Sequence, residues 1–176
     1  VSGRILDALR SELQREEEAA AIGLPMLESA GGGGGGKTPG AKNSPGSWNA
    51  FLSHTQRDPN AKALASQLYI DCKDAKFSVW LDVQMDEKSE AAMKEGVRGS
   101  NVFVIIVTEK YFTRRFCVEE SRWAREAGKF ILPLVHVQDK QSIGEFLEIV
   151  LMVVFGSSLR RRWGMMTPEA RYPKGA

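Results

Sequence analysis

Residues 101–108 read NVFVIIVT, an apolar run of β-branched and aromatic side chains between two polar residues. A strand without polar alternation is buried on both faces, as strands are in a parallel sheet that helices cover on both sides. The run therefore predicts a central strand of such a sheet.

Short apolar runs alternate with helical patterns on either side of this strand. Further strands are predicted at residues 48–54, 77–82, 130–137 and 149–155. Helices are predicted at residues 61–74, 89–99, 111–128 and 142–148. Alternating strands and helices form right-handed βαβ units. The predicted fold class is α/β, a flavodoxin-like three-layer sandwich with a central parallel sheet of about five strands.

The helix at 61–74 has Leu64, Leu68 and Cys72 on its inner face, and we expect Asn60 to be its N-cap. Ligands of such sheets bind beyond the carboxyl ends of the strands, where the strand order reverses. This rule indicates residues 53–55, Asp82 with the loop behind it, and the segment after residue 108.

The regions outside this pattern differ in composition. Residues 1–30 contain a charged helix at 4–22 with Leu6, Leu9 and Leu13 on one stripe, interpreted as a frayed or domain-bridging helix. Residues 31–47 are rich in glycine and proline, and this composition predicts a disordered linker. The globular domain is assigned to residues 48–155, and residues 156–176 to a basic, irregular tail whose Arg160–Arg162 run is interpreted as a solvated helix end.

The linker contains a formal phosphate-binding pattern. Residues 31–38, GGGGGGKT, satisfy the spacing G-x-x-x-x-G-K-[ST]. The chemistry needs a strand before the loop and a helix after it, so that backbone amides converge on phosphate. No strand pattern precedes the run, and Pro39 and Gly40 follow at once. We interpret the segment as a linker.

Composition narrows the function classes. The 176 residues carry 24 Lys and Arg against 22 Asp and Glu, a net charge of +2 that does not predict nucleic-acid binding. No apolar run has the length of a membrane span. Cys72 and Cys117 make no disulfide framework, so a reducing cytoplasmic location is expected. His54 and His136 lack metal-ligand spacing, and no metal site is predicted.

Three stretches together resemble the TIR (Toll/interleukin-1 receptor-like) domain family. Residues 48–54, WNAFLSH, resemble its first box, an apolar strand ending in F-[IL]-S-[HYF]. Residues 79–82, VWLD, resemble its second strand, and residues 83–88 then correspond to the BB loop. Residues 111–120, YFTRRFCVEE, resemble the family's Y-x-x-S-x-W-C-x-x-E segment. The ordered set is more specific than any single box.

The resemblance implies a function and site residues. Many TIR domains hydrolyse NAD, and some cyclise the ADP-ribose part, whereas others only self-associate as signalling adaptors. In the enzymes the essential residue is the glutamate of the last motif, a role that falls here on Glu120. Ser53, His54 and Thr55 match the end of the first box, which lies near the substrate in family enzymes. Asp82, at the end of the second strand beside the BB loop, and Trp80, which offers an aromatic face, are further candidate substrate contacts. Packing in the core is the favoured alternative for Trp80.

The resemblance also implies partners. NAD+ would be a substrate rather than a cofactor, and other TIR domains would bind in a homotypic oligomer that opens the BB loop. Signalling or defence is the implied setting. Two departures leave the adaptor alternative open, because Phe116 stands where the family has Trp and Ser121 where it usually has Leu.

Helical geometry separates Glu120 from its neighbour Glu119. A stripe of Phe112, Phe116, Trp123 and Ala127 is predicted to be the apolar face of the helix, with the two glutamates on opposite flanks. Glu119 has arginines within one turn, which is typical of a solvated flank. Glu120 shares its flank with small residues and no cation. A ligand contact or hydrogen bonds to loop amides would explain it.

Overall fold

The computed structural model describes residues 2–21, 40–108 and 110–135. Their elements, in chain order, are α1 Ser2–Ala21, β1 Trp48–Ser53, α2 Pro59–Asp74, β2 Val79–Trp80, α3 Glu90–Arg98, β3 Ser100–Val107, α4 Arg115–Glu126 and β4 Phe130–Val135. Single-turn 3-10 helices lie at Asp82–Gln84 and Tyr111–Thr113.

The described strands form one parallel sheet in the order β2-β1-β3-β4. This order confirms the flavodoxin-like α/β fold. The strand order reverses between β1 and β3, where Phe51 pairs with Phe103. The predicted fifth strand at 149–155 and the helix at 142–148 lie outside the described residues.

Helices cover both faces of the sheet. On one face, Ala50 and Leu52 of β1 pack in an apolar cluster with Leu68 and Cys72 of α2. On the other face, Phe51 stacks on Trp80 with ring centroids 4.3 Å apart and on Phe103 at 5.4 Å. Alternation along β1 therefore sends even-numbered residues toward α2 and odd-numbered residues toward α3 and α4.

The N-terminal helix belongs to the core, which corrects the expectation of a frayed or domain-bridging helix. Ile5 and Leu9 of α1 are buried in the same cluster as α2 and β1. The buried stripe runs through Ile5, Leu9 and Glu12, while Leu6 and Leu13 lie half-buried beside it. The helix is ordered because its apolar stripe finds an apolar sheet face to cover.

Leu9→Ala is expected to lower the free energy of unfolding by roughly 3 kcal/mol, because the side chain is fully buried and its removal leaves a cavity. The matched change Leu13→Ala, on the half-buried flank of the same helix, is expected to cost clearly less. Urea denaturation of both variants measures the difference. Equal and small losses would contradict a core role for α1.

Two element boundaries differ from the sequence prediction. The N-cap of α2 is Asp58 rather than Asn60, and its carboxylate accepts hydrogen bonds from the backbone N–H of Asn60 and Ala61. Pro59 begins the helix two residues earlier than predicted, because its fixed φ suits the first helical position. The strand predicted at 77–82 is only Val79–Trp80, since β2 is an edge strand and Asp82 begins a 3-10 turn.

The last part of the predicted linker makes fixed contacts. The Asn43 side chain is buried, donates to the Glu87 carbonyl at 2.9 Å and accepts from the Glu87 backbone N–H at 2.9 Å. The backbone N–H of Lys42 donates to Glu95 Oε1 at 2.9 Å. Residues 40–47 therefore correct the prediction of a disordered linker for this part of the chain. The Asn43 side chain satisfies the backbone N–H and C=O of Glu87, in the loop at 83–88, as a neighbouring backbone segment would.

Candidate active site

The candidate site lies where the carboxyl ends of β1 and β3 meet. Ser53 is the last residue of β1, and its odd register directs its side chain to the α4 face. Glu120 lies in the middle of α4, and its carboxylate reaches Ser53 from above that face. This is the edge at which ligands bind in sheets of this topology.

The Glu120 carboxylate is buried, with only 7% of the residue exposed. Ser53 Oγ donates a hydrogen bond to Glu120 Oε2 at 2.5 Å. Burial raises the pKa of Glu120 to about 8, the Ser53 hydrogen bond lowers it, and the Asp82 carboxylate raises it. Among the described residues, no Lys or Arg pairs with Glu120. The carboxyl is therefore largely protonated at neutral pH.

Hydroxyl groups continue from Ser53 into the interior. Tyr111 is fully buried, and its OH makes a short hydrogen bond with Ser53 Oγ. The same OH lies 3.2 Å from the Cys117 carbonyl oxygen and 3.2 Å from Ser121 Oγ. Ser121 Oγ donates to the Cys117 carbonyl at 2.9 Å. Burial, with Glu120 nearby, raises the pKa of Tyr111 well above its usual range, so the phenol stays neutral.

The inward face of α4 differs from the predicted apolar stripe. Its buried residues are Cys117, Glu120, Ser121, Trp123 and Ala124. Phe116, predicted to face inward, is 47% exposed. Residues 111–113 form a separate 3-10 turn, so Phe112 does not belong to the helical face at all. Small side chains at 117, 121 and 124 allow the helix to approach the sheet, which places Glu120 inside rather than on a flank.

The neighbouring Glu119 is half-buried and pairs with an arginine one turn away, as its sequence neighbours predict. Its carboxylate forms a short ion pair with Arg122. Arg122 also lies 3.6 Å from Glu126 through its Nε atom. The two adjacent glutamates therefore differ in their partners: Glu119 belongs to an ion-pair network with the half-exposed Arg122, whereas Glu120 is buried beside a hydroxyl.

The residues that follow β1 are also buried. His54 is 8% exposed, and burial lowers its pKa, which the Asp82 carboxylate opposes and Lys62 reinforces. The Cys117 thiol lies 3.6 Å from the His54 carbonyl oxygen, which ties α4 to the end of β1. Thr55 is buried, and its Oγ1 accepts from the Arg57 backbone N–H at 3.4 Å.

The other two predicted substrate contacts, Asp82 and Trp80, have different surroundings. Asp82 is half-buried, and its Oδ2 accepts a hydrogen bond of 2.5 Å from Gln56 Nε2, which joins the loops after β1 and β2. Trp80 is fully buried between Phe51 and α3, where an added Cβ at Gly96 would lie 2.6 Å from its Nε1. The structure thus brings Ser53, Asp82 and Glu120 to one edge but leaves the indole without an open face.

Comparison with known proteins identifies the family. The sequence profile described as "TIR domain" matches residues 50–169, more than half of the chain. The chain belongs to the TIR domain family. Its structure is similar to the TIR domain of the Toll-related receptor TRR-2 of Hydra magnipapillata, with 11% sequence identity, 66% of this chain and 98% of that chain covered, and a TM-score of 0.45. No curated protein matches the sequence.

Three residues of this TIR domain site escaped the sequence prediction. The hydroxyl of Tyr111 begins the third family-like stretch, yet no pattern indicates that it reaches Ser53. Gln56 contacts Asp82 through tertiary placement alone. Phe116 precedes Glu120 by one helical turn and is exposed. A helical wheel centred on the small residues of α4, rather than on its aromatics, would have indicated both Glu120 and the outward Phe116.

The TIR domain's remaining reactive groups are structural in the part of the chain that the structure describes. Cys72 and Cys117 are free and buried, and burial raises the pKa of the Cys72 thiol to about 11 and of the Cys117 thiol to about 12. Residues 2–21, 40–108 and 110–135 hold no cluster of three or more candidate metal ligands. No helix in these ranges has the length and apolar character to cross a membrane.

Proposed function

We propose that this TIR domain hydrolyses the nicotinamide–ribose bond of NAD+ in cytoplasmic signalling or defence, with Glu120 as the catalytic carboxylate. The observation that supports the proposal is the environment of Glu120, a carboxylate 7% exposed with no basic partner among the described residues. It lies at the sheet edge where this topology binds ligands. A buried acid with a raised pKa is typical of functional sites.

One carboxylate is sufficient for this reaction. The bond between the ribose C1′ and the nicotinamide nitrogen breaks, and its electron pair neutralises the positive pyridinium ring. Nicotinamide therefore leaves without needing a proton from an acid. Positive charge develops at C1′, as in other glycosidic cleavages, and an anion beside it stabilises that charge. Water attacks C1′ and loses a proton, which gives ADP-ribose; attack by the adenine of the same molecule would instead give a cyclic product.

The raised pKa of Glu120 suits a cationic substrate. The free carboxyl is largely protonated because burial raises its pKa to about 8. A pyridinium ring within about 6 Å favours the ionised form of the acid. Binding of NAD+ would then generate the anion beside the ribose, while Ser53 holds the other end of the hydrogen bond.

The site must open to admit a dinucleotide. Ser53 and Thr55 are 1% exposed and Glu120 is 7% exposed, so the loops after β1 and β2 cover the carboxylate. The Gln56–Asp82 hydrogen bond joins these two loops. We propose that packing against other TIR domains moves residues 83–88 and exposes the carboxylate. Turnover would therefore rise with protein concentration more steeply than in proportion.

A non-catalytic adaptor is the second candidate. The closed arrangement favours it, because the Glu120 carboxylate is buried and already accepts a hydrogen bond from Ser53. Such a protein would self-associate through its TIR domain and recruit other TIR domains without consuming NAD+. In that case Glu120 would serve the internal hydrogen-bond network alone.

Nicotinamide release by the concentrated 176-residue protein, followed by chromatography, tests the proposal. The Glu120→Gln variant is expected to lose roughly a thousandfold in rate, because the charge opposite the cationic centre is removed. Glu119→Gln is the matched control, since it makes the same change at the adjacent carboxylate, which pairs with Arg122 instead of Ser53. Its rate is expected to stay within about threefold of the wild type.

Two outcomes would contradict NAD+ hydrolysis by Glu120. Equal rates in the wild type and Glu120→Gln would remove the carboxylate from the mechanism. No release by the wild type at any concentration, together with self-association in light scattering, would favour the adaptor.

A further inference from the structure

The Tyr111 hydroxyl is the innermost polar group of the site and does not contact Glu120 directly. It has three oxygen neighbours, Ser53 Oγ, the Cys117 carbonyl and Ser121 Oγ. The contact with Ser53 is the shortest of the three. A phenol has one proton to donate, so the choice of acceptor decides how the whole network is oriented.

The Ser53 proton decides that choice. Ser53 Oγ donates to Glu120 Oε2, so it can only accept in its short contact with the Tyr111 hydroxyl. The Cys117 carbonyl is the competing acceptor for the Tyr111 proton, at 3.2 Å, and it also accepts from Ser121 Oγ at 2.9 Å. Ser53 has one proton of its own, and with Tyr111 as its donor this proton is directed to Glu120 Oε2 at 2.5 Å.

We propose that Tyr111 is a positioning residue that acts through Ser53: its hydroxyl fixes the direction of the Ser53 hydrogen bond so that the Glu120 carboxylate always receives it. Hydrogen bonds in such a chain polarise and strengthen one another. Tyr111 therefore stabilises the ionised form of Glu120 without touching it. The consequence for turnover rests on the proposed function, whereas the effect on the carboxylate does not.

Of the described groups that face Glu120, the hydroxyls linked through Ser53 are the ones that stabilise its ionised form. Asp82 raises its pKa by charge repulsion, as does burial. The Cys117 thiol, with a pKa near 12, and the Tyr111 phenol are both neutral at physiological pH. Among the described residues, the Ser53 hydrogen bond is the contribution that lowers the pKa of Glu120. A group that orients the Ser53 hydroxyl therefore also affects the pKa of Glu120.

Carboxyl-carbon NMR titration of the 176-residue protein labelled at glutamate measures the Glu120 pKa without relying on turnover. Tyr111→Phe is expected to raise that pKa by roughly half a unit, since the ring stays and only the donor is lost. Tyr69→Phe makes the same change at a half-buried tyrosine of α2. It is the matched control and should leave the pKa of Glu120 unchanged. In a Ser53→Ala background, Tyr111→Phe should cause no further shift.

A second variant keeps the test valid if Tyr111→Phe fails to fold. Ser121→Ala frees the Cys117 carbonyl to compete for the Tyr111 proton, so it should shift the Glu120 pKa in the same direction by a smaller amount. An unchanged or lowered pKa in the folded Tyr111→Phe or Ser121→Ala protein would overturn the proposal. An equal shift with and without Ser53 would also overturn it, because Tyr111 would then act by another route.

Turnover separates this inference from the proposed function. If NAD+ is hydrolysed, the pH at which kcat/KM reaches half its maximum should move upward in Tyr111→Phe by the amount measured by NMR. An NMR shift in a protein that releases no nicotinamide would support Tyr111 as a positioning residue and reject the enzyme. Turnover with an unshifted Glu120 pKa would support the enzyme and reject the role of Tyr111.

Discussion

The stability of Glu120→Gln relative to the wild type is expected to increase by roughly 3–4 kcal/mol between pH 5 and pH 8. The pKa of Glu120 is about 8 in the folded protein against an ordinary value of 4.5, and burial is the largest cause. Between these values the folded state retains a proton that the unfolded state has lost. Wild-type stability therefore falls as the pH rises through this window, by about 1.4 kcal/mol per unit.

Glutamine is neutral at every pH and fits the same cavity, so the variant lacks this fall. Any hydrogen bond of the carboxyl that the amide leaves unsatisfied costs the same free energy at every pH, so it cancels in the slope. The lowered pKa of His54 makes both proteins follow the same opposite trend near pH 6, which also cancels. Urea denaturation at pH 5, 6, 7 and 8 measures the divergence.

Glu119→Gln is the control for this experiment, because its carboxylate lies in a surface ion pair with Arg122. Its unfolding free energy should run parallel to that of the wild type across the range. Parallel curves for Glu120→Gln as well would show that the carboxylate titrates near its ordinary pH, and would remove the picture of a buried, neutral acid.

The sheet was predictable because the amino-acid composition of a strand depends on whether its two faces are buried. The unbroken apolar run at 102–107 predicts a strand covered on both faces. The observed strand, β3, is buried apart from one half-buried residue near its start. The role of α1 was not predictable. Whether a short amphipathic stripe is ordered depends on an available apolar face, and the Ile5 and Leu9 contacts are tertiary.

The candidate site shows the same division between local and tertiary information. The different surroundings of Glu119 and Glu120 follow from residues one turn away, which helical geometry brings together. The inward face of α4 was misjudged because aromatic size was taken as the sign of burial. Close packing of a helix on a sheet instead favoured Cys117, Ser121 and Ala124. The Tyr111–Ser53 contact joins residues 58 positions apart and leaves no local pattern.

If the domain hydrolyses NAD+, kcat/KM should rise roughly 50-fold between pH 6 and pH 8, because only the ionised Glu120 stabilises the cationic transition state. This constant reports the free protein, whose Glu120 pKa is about 8, so the rate should increase tenfold per pH unit below that value and then level off.

The pH dependence of kcat should have its midpoint at lower pH than that of kcat/KM, because the bound pyridinium cation favours the carboxylate and lowers its pKa. Initial rates of nicotinamide release at subsaturating and saturating NAD+ measure the two profiles. Burial lowers the pKa of His54, so its imidazole loses its proton at a lower pH than a free histidine does. A kcat/KM that is flat or falls from pH 6 to pH 8 would mean that a protonated Glu120 is the active form, and a carboxylate opposite the ribose could no longer explain the reaction.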